Sequence, residues 1–203
     1  MHPEILHKKQ LDLLPYIKSF HRVFYMAGGT SIALHIGHRR SLDLDLFCSS
    51  PLSKSRIKSK LRQIPFRQIP LFEDYDQIHL MINDVKTTFF SFPYPIEHPV
   101  KIESYITIPE LITLAAMKAF ALGRRAKWKD YVDLYFILKH YYSINDISKK
   151  GKAVFGSQFS EKQFREQLAF YKDIDFSEPV EYLGKKISEK EIKKFLTEKA
   201  IEL

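Results

Sequence analysis

Two aspartates separated by one leucine, Asp43 and Asp45, are the side chains of this sequence best placed for chemistry. In an extended segment residues i and i+2 point the same way. In LDLDLF, Leu42 to Phe47, the leucines therefore face one side and both carboxylates the other. Two hard oxygen donors converging at a strand end suit one or two Mg²⁺ ions, which keep coordination positions for phosphate oxygens. Taken alone, Asp-x-Asp also occurs on ordinary solvent-facing strands.

Gly28-Gly29-Thr30 supplies a possible second half, with twelve residues between Thr30 and Asp43. Glycines let backbone amides approach a phosphate closely, and a helix starting near Thr30 would aim its N-terminus at the same anion. An ordinary strand-to-helix turn would look alike. Lys118 is the only charge in LITLAAMKAFAL, and it either snorkels to the surface or enters a polar cleft where it pairs with phosphate. Asp130 and Asp133 share one helical face; they could orient that lysine, bind a nucleotide, or simply complement a helix N-terminus.

The elements positioning these residues read as follows. Glu4 to Phe20 has helical spacing interrupted by Pro15, which predicts two short helices or a kinked one. Arg22 to Ala27 reads as a buried strand, and SIALHI as a short helix capped by Thr30 and stopped by Gly37. Pro65 and Pro70 bracket a connection. Ile78 to Asn83 and Val85 to Phe92 form a hairpin through Asn83-Asp84, and Val100 to Ile106 is a further short strand. Thr107 to Glu110 starts a helix that runs to Gly123 and is buried on most sides. KDYVDLYFILKHYY continues as a second helix. Capping boxes at Ser160 to Gln163 and Ser188 to Glu191 predict two more.

The chain has 203 residues, 45% of them apolar, enough for a sizeable core. A single cysteine, Cys48, excludes an internal disulfide framework and fits a reducing compartment. The N-terminus lacks an apolar leader core, and Lys118 interrupts the longest apolar run, so a soluble, cytoplasmic protein without a membrane span is expected. The net charge is +8, and the excess lies in residues 1 to 150, with 22 Lys and Arg against 14 Asp and Glu; the rest holds 10 of each. SKSRIKSKLRQI, Ser53 to Ile64, concentrates five of these cations on a helix that is either a solvated face or a surface for phosphate or nucleic acid.

Together, GGTSIALHIGHRRSLDLDLF and LITLAAMKAFALGRRAKWKDYVDLYFIL resemble the AbiEii-type nucleotidyltransferase toxins, relatives of the DNA polymerase β-like nucleotidyltransferases; the likeness covers residues 22 to 140. The resemblance implies an α/β fold with a mixed sheet flanked by helices. A nucleotidyltransferase-like core over 1–107 would be completed by a mainly helical part over 108–203. It also implies transfer of a nucleotide from Mg²⁺-NTP to an RNA acceptor such as tRNA, and a cognate antitoxin. By position, Gly28, Gly29 and Thr30 match the nucleotide-binding turn, Asp43 and Asp45 the metal pair, Lys118 the phosphate-binding lysine, and Asp130 and Asp133 the acids of the last motif. A third carboxylate expected on VKTTFFSF is replaced by Thr87 and Thr88, with neither Asp84 nor Glu103 an obvious substitute. That departure keeps a non-catalytic nucleotide- or RNA-binding relative as the alternative.

Overall fold

Five strands, Tyr25–Ala27 (β1), Leu44–Cys48 (β2), Gln68–Glu73 (β3), Gln77–Ile82 (β4) and Val85–Ser91 (β5), make one mixed sheet in the order β1-β2-β5-β4-β3. The computed structural model describes residues 1–122 and 124–202. β2 runs parallel to β5, and the other neighbours are antiparallel. The alternation in LDLDLF is realised in β2: Leu44 and Leu46 are buried beneath the sheet while Asp45 and Phe47 face the opposite side. The strand is shorter than expected, since Leu42 is exposed and Asp43 precedes the first ladder residue.

β4 and β5 are joined through Asn83 and Asp84, both in the left-handed region at φ 53° and 61°, which matches the twist of a two-residue hairpin. The expected connection around Pro70 is instead the outer strand β3. A proline is tolerated there because a missing N–H on the free edge breaks no ladder bond. A small separate hairpin, Val100–Ile102 (β6) and Ile106–Ile108 (β7), replaces the single strand expected there.

Lys8–Ile17 (α1) keeps Pro15 inside one helix, flanked by 3-10 turns at Pro3–Ile5 and Lys18–Phe20. Gly28–Ile36 (α2) begins directly after β1, with Ala27 rather than Thr30 at its N-cap, and ends at left-handed Gly37. Lys54–Leu61 (α3) is the basic helix. Beyond β7 come Leu111–Leu122 (α4), Trp128–His140 (α5), Ile144–Phe155 (α6), Glu161–Leu168 (α7) and Glu189–Ile201 (α8). The predicted stop of α4 at Gly123 lies outside the described residues. Ser160 and Ser188 cap α7 and α8 as expected; α6, opened by the Ser143–Asp146 box, is an addition.

Two apolar clusters divide the interior. One joins α1 and α3 to the leucine face of the sheet, and the other gathers α4 to α8. α2 bridges them, giving Ala33 and Leu34 to the first and Ile32 to the second. The upper face of β2 thereby looks onto α4 and α5. Among the described residues no helix is long and apolar enough to cross a membrane.

Candidate active site

Asp45 sits on the upper face of β2, opposite Thr88 of β5 and beside the first residue of α2. Burial and the neighbouring Asp43 push the Asp45 carboxyl above its usual value, because both the loss of water and a nearby negative charge disfavour its ionised form. A cation between them would reverse that preference. Among the described residues no three His, Cys, Asp or Glu side chains gather into a metal cluster. A metal held by this pair would take its remaining ligands from water or substrate, a donor set that fits magnesium.

The two glycines are needed for different neighbours. Gly28 has φ 71°, and a Cβ on it would lie 2.3 Å from Asp45 Oδ2; one on Gly29 would lie 2.5 Å from Arg39 Nη2. Gly28→Ala should therefore cost at least about 1–2 kcal/mol from the backbone alone and displace Asp45 as well. Thermal unfolding measures the first effect; a melting temperature equal to that of the wild type would contradict this account. Ala27 places no side chain over the N-terminus of α2, whose first amides border the cleft. Thr30 is buried, and its hydroxyl engages Ser41 Oγ at 2.7 Å and donates to the Asp43 carbonyl at 2.5 Å, fixing the entry to β2.

Lys118 points inward. Its Nζ lies 2.6 Å from Asp130 Oδ1 and 2.9 Å from Asp133 Oδ2. Burial opposes its charge, but the two carboxylates outweigh that and raise its pKa. Asp133 is the hub: it accepts from Arg39 Nε at 2.7 Å and Arg39 Nη2 at 3.0 Å, and from His38 Nε2 at 2.7 Å. Arg39, only 1% exposed, can keep its charge there because this fork neutralises it. Burial lowers the pKa of His38, and its Nδ1 has no hydrogen-bond partner among the described residues. A neutral ring donating from Nε2 satisfies both observations, since a second ring proton would be a buried orphan.

All eight expected site residues except Thr30 and Asp133 line one cleft of about 270 Å³, with those two directly beneath it. Arg39, Lys86, Lys127, Lys129 and Glu178 also line it, none of them among the expected site residues. α3 contributes nothing to the lining. Its Lys54 and Lys58 pair with Glu73, and Lys60 donates to the Ser19 carbonyl; Arg56 and, just past the helix, Arg62 are exposed without a carboxylate partner among the described residues.

The sequence profile of the family described as "Nucleotidyl transferase AbiEii toxin, Type IV TA system" matches residues 16–200. The chain belongs to the AbiEii nucleotidyltransferase toxin family. Its fold is that of nucleotidyltransferases: MenT4, a nucleotidyltransferase toxin of Mycobacterium tuberculosis H37Rv, superposes with a TM-score of 0.63 at 15% identity, over 95% of this chain and 80% of that one. A putative nucleotidyltransferase from H. pylori gives 0.54 at 18% identity, over 96% and 94%. An uncharacterized protein of Aquifex aeolicus (strain VF5) is 33% identical over 134 residues; the match spans 62% of this chain and 63% of that relative.

In this AbiEii protein the strand beside β2 bears no acid at the level of the aspartates. Thr87 turns into the core, whereas Thr88 lines the cleft, its Oγ1 3.5 Å from His79 Nδ1. The register continues from Asp45 through Thr88 to His79 on β4, so the three lie in one row across the sheet. Burial lowers the pKa of His79, whose Nε2 lies 2.8 Å from Gln77 Oε1. Asp84 pairs with Lys9 at the hairpin, Glu103 occupies the β6–β7 turn, and neither lines the cleft.

Proposed function

We propose that this AbiEii-family toxin transfers a nucleotide from Mg²⁺-NTP to an RNA acceptor, with tRNA the leading candidate and a cognate antitoxin restraining it. The observation that carries the reading is the Asp43–Asp45 pair facing a cleft whose cations come from both halves of the chain. Residues 1–107 would act as the nucleotide-transferring core and 108–203 as the part that completes the cleft.

Asp43 and Asp45 would hold Mg²⁺, which when bound neutralises phosphate charge and polarises the bond to be broken. The uncapped N-terminus of α2 offers backbone amides to phosphate oxygens. Lys118 and Arg39 are held in place by Asp133 and give the floor of the cleft fixed N–H donors. A second, apolar hollow of about 260 Å³ shares Gly28, Phe47, Phe90, Lys118 and Arg125 with the cleft and adds Phe92 and Phe120. These rings suit the faces of a nucleobase. His79, neutral at neutral pH, is the group nearest the place of the expected third acid that can accept a proton.

Incubation with each labelled NTP, Mg²⁺ and total RNA should yield a labelled RNA species with at least one NTP. Thr88 in place of an acid favours a second reading, binding without chemistry. Calorimetric binding of Mg²⁺-NTP with no labelled RNA under any NTP would select that reading over transfer.

A further inference from the structure

Between α7 and α8, residues 171–187 run without helix or extended strand and return to the cleft. Two sets of backbone hydrogen bonds fix this passage. Trp128 donates to the Asp175 carbonyl at 3.0 Å and Asp175 to that of Ala126 at 2.7 Å; Arg40 donates to Glu181 at 2.8 Å and Leu183 to His38 at 3.2 Å. Between these anchors Glu178 turns into the cleft lining.

Its two carboxylate oxygens each meet a different ammonium group. Oε1 accepts from Lys127 Nζ, and Oε2 lies 3.2 Å from Lys129 Nζ. Both lysines line the cleft that contains Asp43 and Asp45. An anion bridging two lysine ammoniums through separate oxygens makes the contacts a phosphate group would make there. Partial burial opposes the Glu178 charge, yet Lys127 and Lys129 bring its pKa to about 2, so it is a permanent anion at physiological pH. The passage does not depend on that carboxylate for its position, because the four backbone bonds hold it independently. Glu178 remains about one-third exposed, as expected for an ion pair that exchanges with a competing anion.

We propose that Lys127 and Lys129 form a phosphate subsite and that Glu178 is a built-in occupant which a substrate phosphate displaces. This rests on the nucleotidyltransferase reading of the cleft and adds a self-limiting element to it: the chain lowers its own affinity for the ligand its lysines select. The phosphate could belong to the NTP or to a polynucleotide acceptor, and separate binding measurements distinguish the two.

The test uses the full chain without turnover, titrating each NTP by calorimetry and a labelled single-stranded RNA oligomer by fluorescence anisotropy. Glu178→Gln should tighten binding of the NTP, of the RNA, or of both by roughly two- to tenfold, the range expected for releasing exposed ion pairs. Glu178→Asp, too short to span both ammoniums, should shift affinity the same way. Lys127→Ala with Lys129→Ala should weaken the same ligand and abolish the gain from Glu178→Gln. Unchanged or weaker binding of both ligands by both Glu178 variants would overturn the proposal and leave Glu178 a clamp for the passage. Tighter binding without labelled RNA would keep the subsite and remove only the transfer reading; labelled RNA with no gain in binding would do the reverse.

Discussion

Asp133→Ala should lower stability by about 3–5 kcal/mol, the range for removing one partner of a buried ion network. The carboxylate is itself fully buried and serves Arg39, Lys118 and His38 together, at side chains no more than 4% exposed. Without it, the Arg39 guanidinium keeps, among the described residues, the Arg40 carbonyl as its one hydrogen-bond partner, and Lys118 keeps Asp130 as its one counter-ion. Denaturant unfolding measures the loss, and a change below about 1 kcal/mol would show that the site relaxes around the missing charge.

The acid side of the stability profile tests the same network. Burial favours neutral Asp133, but Arg39 and Lys118 outweigh it and hold the carboxyl well below 3.8, so its contribution is present above that pH and lost as pH falls through the folded value. His38 acts earlier: burial lowers its pKa from 6.5, so the unfolded chain takes up a proton that the folded site refuses. Wild-type stability should therefore decline from pH 6.5 downward and again through the carboxylate range. The Asp133→Ala profile should lack the second component. Parallel curves for the two proteins would place the acid sensitivity elsewhere.

Asp43→Asn combined with Asp45→Asn should have the opposite signature. Transfer of label from NTP to RNA should fall at least about a thousandfold, since losing the ligands of a charge-neutralising ion removes several kcal/mol of transition-state stabilisation. Growth inhibition by the protein should disappear with it. Stability should hold or rise, because burial and Asp43 already push Asp45 toward its neutral form. Loss of activity in a protein that melts no earlier than wild type separates chemistry from folding. Full activity in this variant would eliminate the proposed mechanism.

The residues that announced themselves in the sequence did so through local rules. Leu44 and Leu46 alternate with Asp45 because one face of β2 is buried, and Asn83-Asp84 sits where a hairpin needs two left-handed residues. Lys118 was conspicuous as a charge inside an apolar helix, and the structure supplies the reason in Asp130 and Asp133. What stayed hidden depends on contacts far apart in the chain. Arg39 has no local signal in the sequence, because its partner is 94 positions away. The row from Asp45 to His79 appears only once β5 has been inserted between β2 and β4. Thr30 had the right type for a cap, but β1 runs straight into α2, so its hydroxyl went to Ser41 and Asp43 instead. α6 was missed because its box uses Asp146 where glutamate or glutamine is the usual signal.

The late passage beside the cleft also orders events during synthesis. The ribosome delivers Asp43 and Asp45 early, whereas Asp133 follows about ninety residues later and the segment that bonds to His38 and Arg40 later still. Bringing such distant pieces together carries a loop-closure cost that only their final contacts offset. A nascent chain thus holds Asp43 and Asp45 before the far wall of their cleft exists, and that cleft is finished only after Leu183 has emerged from the exit tunnel.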